Sequence, residues 1–230
     1  MASIQTGVPD DAAVAVQLQH SLHLLSQQYP HSTGLVIALS GGLDSVALFD
    51  ACVRFCDKNP QQYPSGLRAI HVHHGLSVNA DAWQHYCQAL CSDRGVALSC
   101  VSVSVANDSG LGIEAQARHS RYRAFSDQLA AHEVLLMAHH RDDQAETVLL
   151  RLLRGAGPGG LAGMPQHRTL GEAVLWRPFL EVSRAELQCY VAARQLRWVD
   201  DESNDDVSLS RNYLRHQVIP AIAGHWPDWQ

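Results

Sequence analysis

The string Ser40-Gly41-Gly42-Leu43-Asp44-Ser45 sets two glycines, two hydroxyls and a carboxylate between an apolar run and an amphipathic segment. That combination suits anion binding. Glycines let the main chain approach oxygen atoms closely, and the unpaired N–H groups and dipole of a helix's first turn add positive field. Ser40 and Ser45 can donate hydroxyl hydrogen bonds, while Gly41 and Gly42 supply the turn. Asp44 would repel bare phosphate, so its expected task is to hold Mg²⁺ on the phosphates. The competing reading is a plain helix cap at Ser40 or Asp44, with glycines that only turn the chain.

A second group, His139-His140-Arg141-Asp142-Asp143-Gln144-Ala145-Glu146, follows the apolar run Val134–Ala138. With a helix starting near Asp142, Asp143 and Glu146 fall three apart on one face, and His139 sits at the strand end behind them. Paired carboxylates suit a cationic substrate group, a metal or a proton-accepting role. The same residues also serve the helix dipole, with Glu146 completing a capping box. Glu114 and Arg118 form an i, i+4 pair in a stretch that also carries Arg121 and Arg123. Three arginines so close together suit phosphate or developing negative charge better than a solvated surface pair. Ser210-Arg211-Asn212, preceded by Val199-Asp200-Asp201-Glu202-Ser203-Asn204, reads as a polar loop leading into a helix.

Composition narrows the chemistry further. The 230 residues carry a formal charge of −6, so bulk attraction to nucleic acid is absent and any RNA contact needs a local basic surface. Sixteen of the seventeen basic residues are arginine. The lone lysine, Lys58, lies in a polar loop-like stretch, which disfavours a Walker-type phosphate loop and Schiff-base catalysis alike. Six cysteines include no CxxC pair, and their i, i+4 spacings suit packed core faces. Reduced thiols, no export signal and no membrane-length apolar run point to the cytoplasm.

These groups need a scaffold, and the hydrophobic pattern describes one. Leu35–Leu39, Leu67–Val72, Leu98–Val105, Val134–Ala138 and Val174–Leu180 read as strands. Asp11–Gln28, Asp44–Cys56, Ala80–Arg94, Ile113–Ala131 and Asp142–Leu153 read as the helices that precede and alternate with them. The alternation predicts an α/β fold with a doubly wound, mostly parallel five-stranded sheet and ligands at the strand ends. Ser183–Gln195, with Ser183 as N-cap, and Leu209–Ile219 read as two more helices. The division expected is a nucleotide-binding catalytic domain over residues 1–182 and a helical extension over 183–230 packed on it. The glycine-rich stretch Gly155–Gly163 reads as a mobile active-site loop.

In chain order, SGGLDSVAL, HVHHGL, EAQARHSRYRAF, AHHRDDQAETVLLRLLRGAGPGGLAGM, RPFLEVSRAEL and WVDDESNDDVSLSRNYLRHQVIP resemble successive blocks of the tRNA(Ile)-lysidine synthetase family. They run from about Leu35 to Pro220. The first block alone resembles the PP-loop of the wider ATP-pyrophosphatase superfamily, whose members split ATP between the α and β phosphates. Sulfur-transferring relatives that modify tRNA often carry paired CxxC cysteines, which this sequence lacks.

The resemblance implies a Rossmann-like fold and a two-step reaction on the wobble cytidine of the isoleucine tRNA with a CAU anticodon. ATP would adenylate the C2 carbonyl oxygen and free L-lysine would then displace AMP. It implies that Ser40, Gly41, Gly42, Asp44 and Ser45 bind the ATP phosphates, with Asp44 on Mg²⁺. Arg118 would stabilise the adenylated cytidine or the departing AMP. Asp143, Glu146 and Arg211 would bind the lysine, and His139 would assist as base or stand by. Many members of that family continue into C-terminal domains that help select the tRNA. The 230 residues are expected to represent either a truncated or a minimal form without those domains, in which ATP and lysine binding survive and tRNA discrimination weakens.

Overall fold

The computed structural model describes residues 12–75, 77–103 and 113–226, with the side chains of residues 113–115 left aside. Six strands form one sheet in the order β3-β2-β1-β4-β6-β5. These are β1 (Gly34–Ala38), β2 (Gly66–His73), β3 (Ala97–Ser102), β4 (Glu133–Leu136), β5 (His167–Leu170) and β6 (Ala173–Trp176). All neighbours are parallel except β5 and β6, which pair antiparallel as an edge hairpin.

The mostly parallel α/β sheet is the one the alternation predicts, but it has six strands rather than five. β5 is four residues, HRTL, with its middle pair exposed, so it lacks the apolar signal of a buried strand. Its pairing comes from a tight reversal at Gly171, whose φ of +59° a side chain would resist. β6 is also shorter than Val174–Leu180, since Pro178 cannot donate to a ladder.

The helices fall close to their expected bounds: α1 (Ala12–Gln28), α2 (Leu43–Lys58), α3 (Ala80–Asp93), α4 (Ile113–Gln128), α5 (Arg141–Leu153) and α6 (Arg184–Ala193). Ser183 does cap α6, in a reciprocal capping box with Glu186. The segment expected as one helix over Leu209–Ile219 is divided into α7 (Ser210–Tyr213), a π-turn over Leu214–Val218 and α8 (Ile219–His225). Asp11, Ser104 and Val105, ends of two expected elements, lie outside the described residues.

Strand alternation sorts the core into two faces. Leu35 and Ile37 of β1 join Val134 and Leu136 of β4 against α1, α2 and α6, in a cluster that includes Leu22, Phe49, Trp176, Tyr190 and Val191. Val36, Leu135, Met137 and Leu175 point the other way, against Phe125 of α4. This two-sided covering explains why the central strands are nearly continuous apolar runs. One buried carboxylate ties the first face together. Asp50 of α2 accepts from Arg94 at 2.9 Å, Tyr190 at 2.8 Å and Arg194 at 3.3 Å.

Candidate active site

From β1 the sheet grows through β2 and β3 on one side and through β4 and β6 on the other, so β1 and β4 flank its topological switch point. Crevices at the carboxyl ends of such strands are where open α/β sheets bind ligands. The glycine string follows β1 and the histidine–carboxylate string follows β4, so both converge on this crevice. A cavity of about 350 Å³ lies there, lined from both strings and from the ends of β2 and α4.

α2 starts at Gly42 with no side-chain cap, so neither Ser40 nor Asp44 serves as its N-cap. The first-turn N–H groups therefore face the cavity without an intrahelical acceptor. The turn is held by its own hydroxyls. Ser45 Oγ accepts from the Gly41 amide at 3.1 Å and donates to the Gly42 carbonyl at 2.9 Å, while Ser40 Oγ donates to Ser45 Oγ at 3.0 Å. Gly41 has φ +91°, and a Cβ there would lie 2.9 Å from Val199 Cγ2 and 3.2 Å from Cys87 Sγ. Only glycine fits that position without strain.

Val199 marks a contribution that sequence reasoning missed. The segment expected as a polar loop crosses the glycine turn, with the Val199 amide donating to the Gly41 carbonyl at 3.0 Å. Val199, Asp200, Asp201 and Asn204 all line the cavity. Their only signal in the sequence was an acidic pair after a tryptophan.

Consecutive residues at a strand end face opposite ways, and this separates the two histidines. His140 falls on the α2 face and is 1% exposed. Its ring lies 3.6 Å from Asp44, 3.6 Å from Asp142 and 3.5 Å from Asp143. Burial opposes its charge, but the three carboxylates prevail and push its pKa up to about 9. Asp142, in turn, is drawn down to about 2 despite burial, chiefly by His140 and by the Arg184 amide. Sequence reasoning favoured His139 and passed over His140, although strand parity could have assigned each to its face. His140 also occupies the N-cap position of α5, where its main-chain N–H donates to Asp143 Oδ2 at 3.1 Å, so Asp143, not Glu146, closes the first turn.

His139 falls on the α4 face, where Arg177 Nε donates to its Nδ1 at 3.3 Å. Burial, reinforced by Arg177, Arg118 and Arg211 against the opposing pull of Asp143, lowers its pKa to about 4. Tyr122 lies close by. Arg118 donates to its hydroxyl at 3.2 Å, and the guanidiniums of Arg118 and Arg168 lie 5.0 Å and 4.1 Å from its ring centroid. Arg121, rather than Arg118, lines the cavity itself. The side chain of Glu114, the expected partner of Arg118, lies outside the described residues.

Asp143, Glu146 and Arg211 do come together. Glu146 is 1% exposed and both its oxygens are taken, by Arg211 Nε at 2.6 Å and by Arg215 Nε and Nη2 at 2.7 and 2.9 Å. Arg211 also donates to Asp143 Oδ1 at 2.9 Å. Asp143 and Arg215 reach the cavity, whereas Glu146 stands behind them as the anchor of both arginines. Burial opposes the charge on Asp143, yet His140, Arg211 and His139 hold its pKa below the usual carboxylate range. The glycine-rich stretch beyond α5 is pinned by Arg151, which donates to the Gly160 and Gly163 carbonyls at 3.0 and 2.8 Å. None of its described residues lines the cavity.

An uncapped glycine turn, a half-buried carboxylate at its first helical turn and a switch-point crevice define a nucleotide-binding α/β domain of the PP-loop class. The chain belongs to the PP-loop domain family, whose model matches residues 14–222. Membership implies ATP binding.

Among curated relatives, the tRNA(Ile)-lysidine synthase of Xanthomonas campestris is 51% identical over 193 residues, covering 84% of this chain and 43% of that protein. The enzymes of the same name from Pseudomonas aeruginosa and Escherichia coli O157:H7 are 48% and 47% identical. Those matches cover 93% and 89% of this chain and 47% of each relative. The chain thus spans less than half the length of these relatives. Among solved structures, the U34-tRNA thiolase of Methanococcus maripaludis matches with a TM-score of 0.69 at 16% identity, over 94% of this chain and 74% of that one. An NMN synthetase from Francisella tularensis gives 0.55 at 14%, over 92% and 87%. Both likenesses speak to the fold alone. All six cysteines are free, and no helix among the described residues is long and apolar enough to cross a membrane.

Proposed function

We propose that this chain carries the catalytic centre of a tRNA(Ile)-lysidine synthetase, joining L-lysine to C2 of the wobble cytidine in CAU-anticodon isoleucine tRNA. The observation that carries the reading is the switch-point crevice itself. It sets an anion-binding turn on one side of a 350 Å³ cavity and a carboxylate–arginine cluster on the other. Identity near 50% to proteins named for this activity supports it.

The glycine turn and the first turn of α2 would receive the ATP phosphates through main-chain N–H groups and the Ser40 and Ser45 hydroxyls. Asp44 fits a metal. Its Oδ2 faces His140, but its Oδ1 is buried and meets no hydrogen-bond donor among the described residues, a lone oxygen that a cation would satisfy. Asp44 would therefore hold Mg²⁺, whose chemistry is to neutralise charge on the leaving pyrophosphate.

In the first step the C2 carbonyl oxygen of cytidine bonds to the α phosphorus, the bond to the β,γ portion breaks, and pyrophosphate leaves. The lysine ε-amine then bonds to C2, AMP departs with the oxygen, and a proton passes from nitrogen to a base. Aligning the reactants supplies much of the rate. Asp143 would face the ammonium of lysine, with Arg211 and Arg215 held at its side by Glu146. Arg118 would meet negative charge on the adenylate from the α4 side.

Incorporation of labelled lysine into a CAU-anticodon transcript, with ATP and Mg²⁺, tests the reading beside a transcript with uridine at the wobble position. Label confined to the cytidine transcript is expected. ATP binding with AMP release driven by a different amino acid or amine would overturn the choice of acceptor.

A further inference from the structure

Among the described residues, Arg177 is a buried cation with no carboxylate beside it. It is 3% exposed, yet its acceptors among the described residues are His139 Nδ1 at 3.3 Å, the Pro165 carbonyl at 2.6 Å and the phenol of Tyr122. A buried guanidinium without a carboxylate is expensive to keep. Burial accordingly lowers its pKa from the ordinary arginine value, though arginine stays charged. The arrangement has a geometric origin. Met137 donates to the Trp176 carbonyl, so the ends of β4 and β6 run side by side and His139 and Arg177 emerge on the same face, above Tyr122 of α4.

We infer that Arg177 is a positioning residue that locks His139 in the tautomer with its proton on Nε2, so that His139 offers a hydrogen-bond donor, not a proton acceptor, to bound substrate. A guanidinium has five N–H donors and no acceptor, so the nitrogen that meets it must present a lone pair. Nδ1 of His139 is that nitrogen. A neutral imidazole has one proton, and it must then reside on Nε2. Burial keeps the ring neutral, and Arg177 beyond β6, Arg118 of α4 and Arg211 of α7 act with it against the opposing pull of Asp143 of α5.

His139 lines the cavity, so its Nε2–H is the group left for a ligand oxygen. The catalytic consequence rests on the function proposed above. There the donor would serve the cytidine carbonyl oxygen or an oxygen of the adenylate, and the ε-amine's proton would go to a group other than His139.

The test reads the tautomer directly. Long-range ¹H–¹⁵N correlation spectra of the 230-residue chain labelled in histidine, near neutral pH, give separate patterns for the two tautomers, and the signals lost in H139Q identify His139. A protonated Nε2 with an unprotonated Nδ1 is expected. R177M, which keeps bulk but removes the donor, should turn this into a mixture of tautomers, whereas R177Q, which keeps an amide donor, should preserve it. In AMP formation R177M should lower kcat on the order of 10²-fold, the usual effect of losing one aimed donor. KM for ATP should move less than threefold, and R177Q should recover part of the rate. A His139 protonated on Nδ1 in the unsubstituted chain overturns the inference without any Arg177 variant. An unchanged spectrum in folded R177M does so equally. Because the spectrum needs no turnover, failure of the lysidine reading would leave this result standing and distinguishable.

Discussion

Replacing Glu146 by glutamine probes the anchoring of the lysine-side cluster. Glu146 is 1% exposed and accepts three charged hydrogen bonds of 2.6–2.9 Å from Arg211 and Arg215. Breaking a buried ion pair by removing one partner costs about 3–5 kcal/mol, because the other charge stays behind unpaired. The arginine side chains are 31% and 22% exposed, so water can reach part of each guanidinium and the lower end, about 3 kcal/mol, is expected. For a domain of this size that corresponds to a fall of roughly 6–12 °C in Tm. Thermal unfolding followed by circular dichroism measures it. Lysine affinity should fall with it, since Arg211 would lose the bond that aims it at Asp143, while ATP affinity should hold. Replacing Glu146, Arg211 and Arg215 together with leucine or methionine should restore most of the stability and none of the lysine binding. A Tm within 1 °C of the parent for E146Q would refute the anchoring argument.

Gly41→Ala places a Cβ 2.9 Å from Val199 at φ +91°; about 1–2 kcal/mol of backbone strain and displacement of the Val199 segment should weaken ATP binding tenfold or more by calorimetry. Asp44→Asn should leave a folded chain that binds ATP but forms no AMP with Mg²⁺, and unchanged turnover would remove the metal assignment. Asp143→Ala should raise KM for lysine with ATP binding largely intact; lost ATP binding would place Asp143 on the nucleotide side instead. Arg68 holds Glu133 through bonds of 2.7 and 2.6 Å, and this pairing, against the opposing effect of burial, lowers the Glu133 pKa. A carboxylate lowered in the folded state adds stability above its unfolded pKa, near 4.5, and loses it as pH falls through the folded value. R68M should therefore flatten the acid limb of a stability–pH curve below about pH 4.5 without changing its shape near neutrality.

What could be read without coordinates rested on local physics. Alternation of apolar runs identified the strands of the parallel sheet, because a strand covered on both faces must be apolar throughout. The glycine turn was legible because its φ, its uncapped helix and its hydroxyls all lie within six residues. Asp143 and Glu146 were legible as neighbours because helical spacing alone brings them together.

Tertiary structure decided everything that depends on partners distant in sequence. Only the fold shows that Glu146 is consumed by Arg211 and Arg215, or that Val199 crosses the glycine turn. It also reveals β5, whose exposed, polar middle residues become part of a strand only by pairing with β6. The two histidines mark the boundary most sharply. They are adjacent in sequence and alike in chemistry, yet His140 sits among three carboxylates and His139 against an arginine. Strand geometry dictates that they part, but what waits on each face is set by residues brought in from other elements, and those neighbours determine where each proton sits.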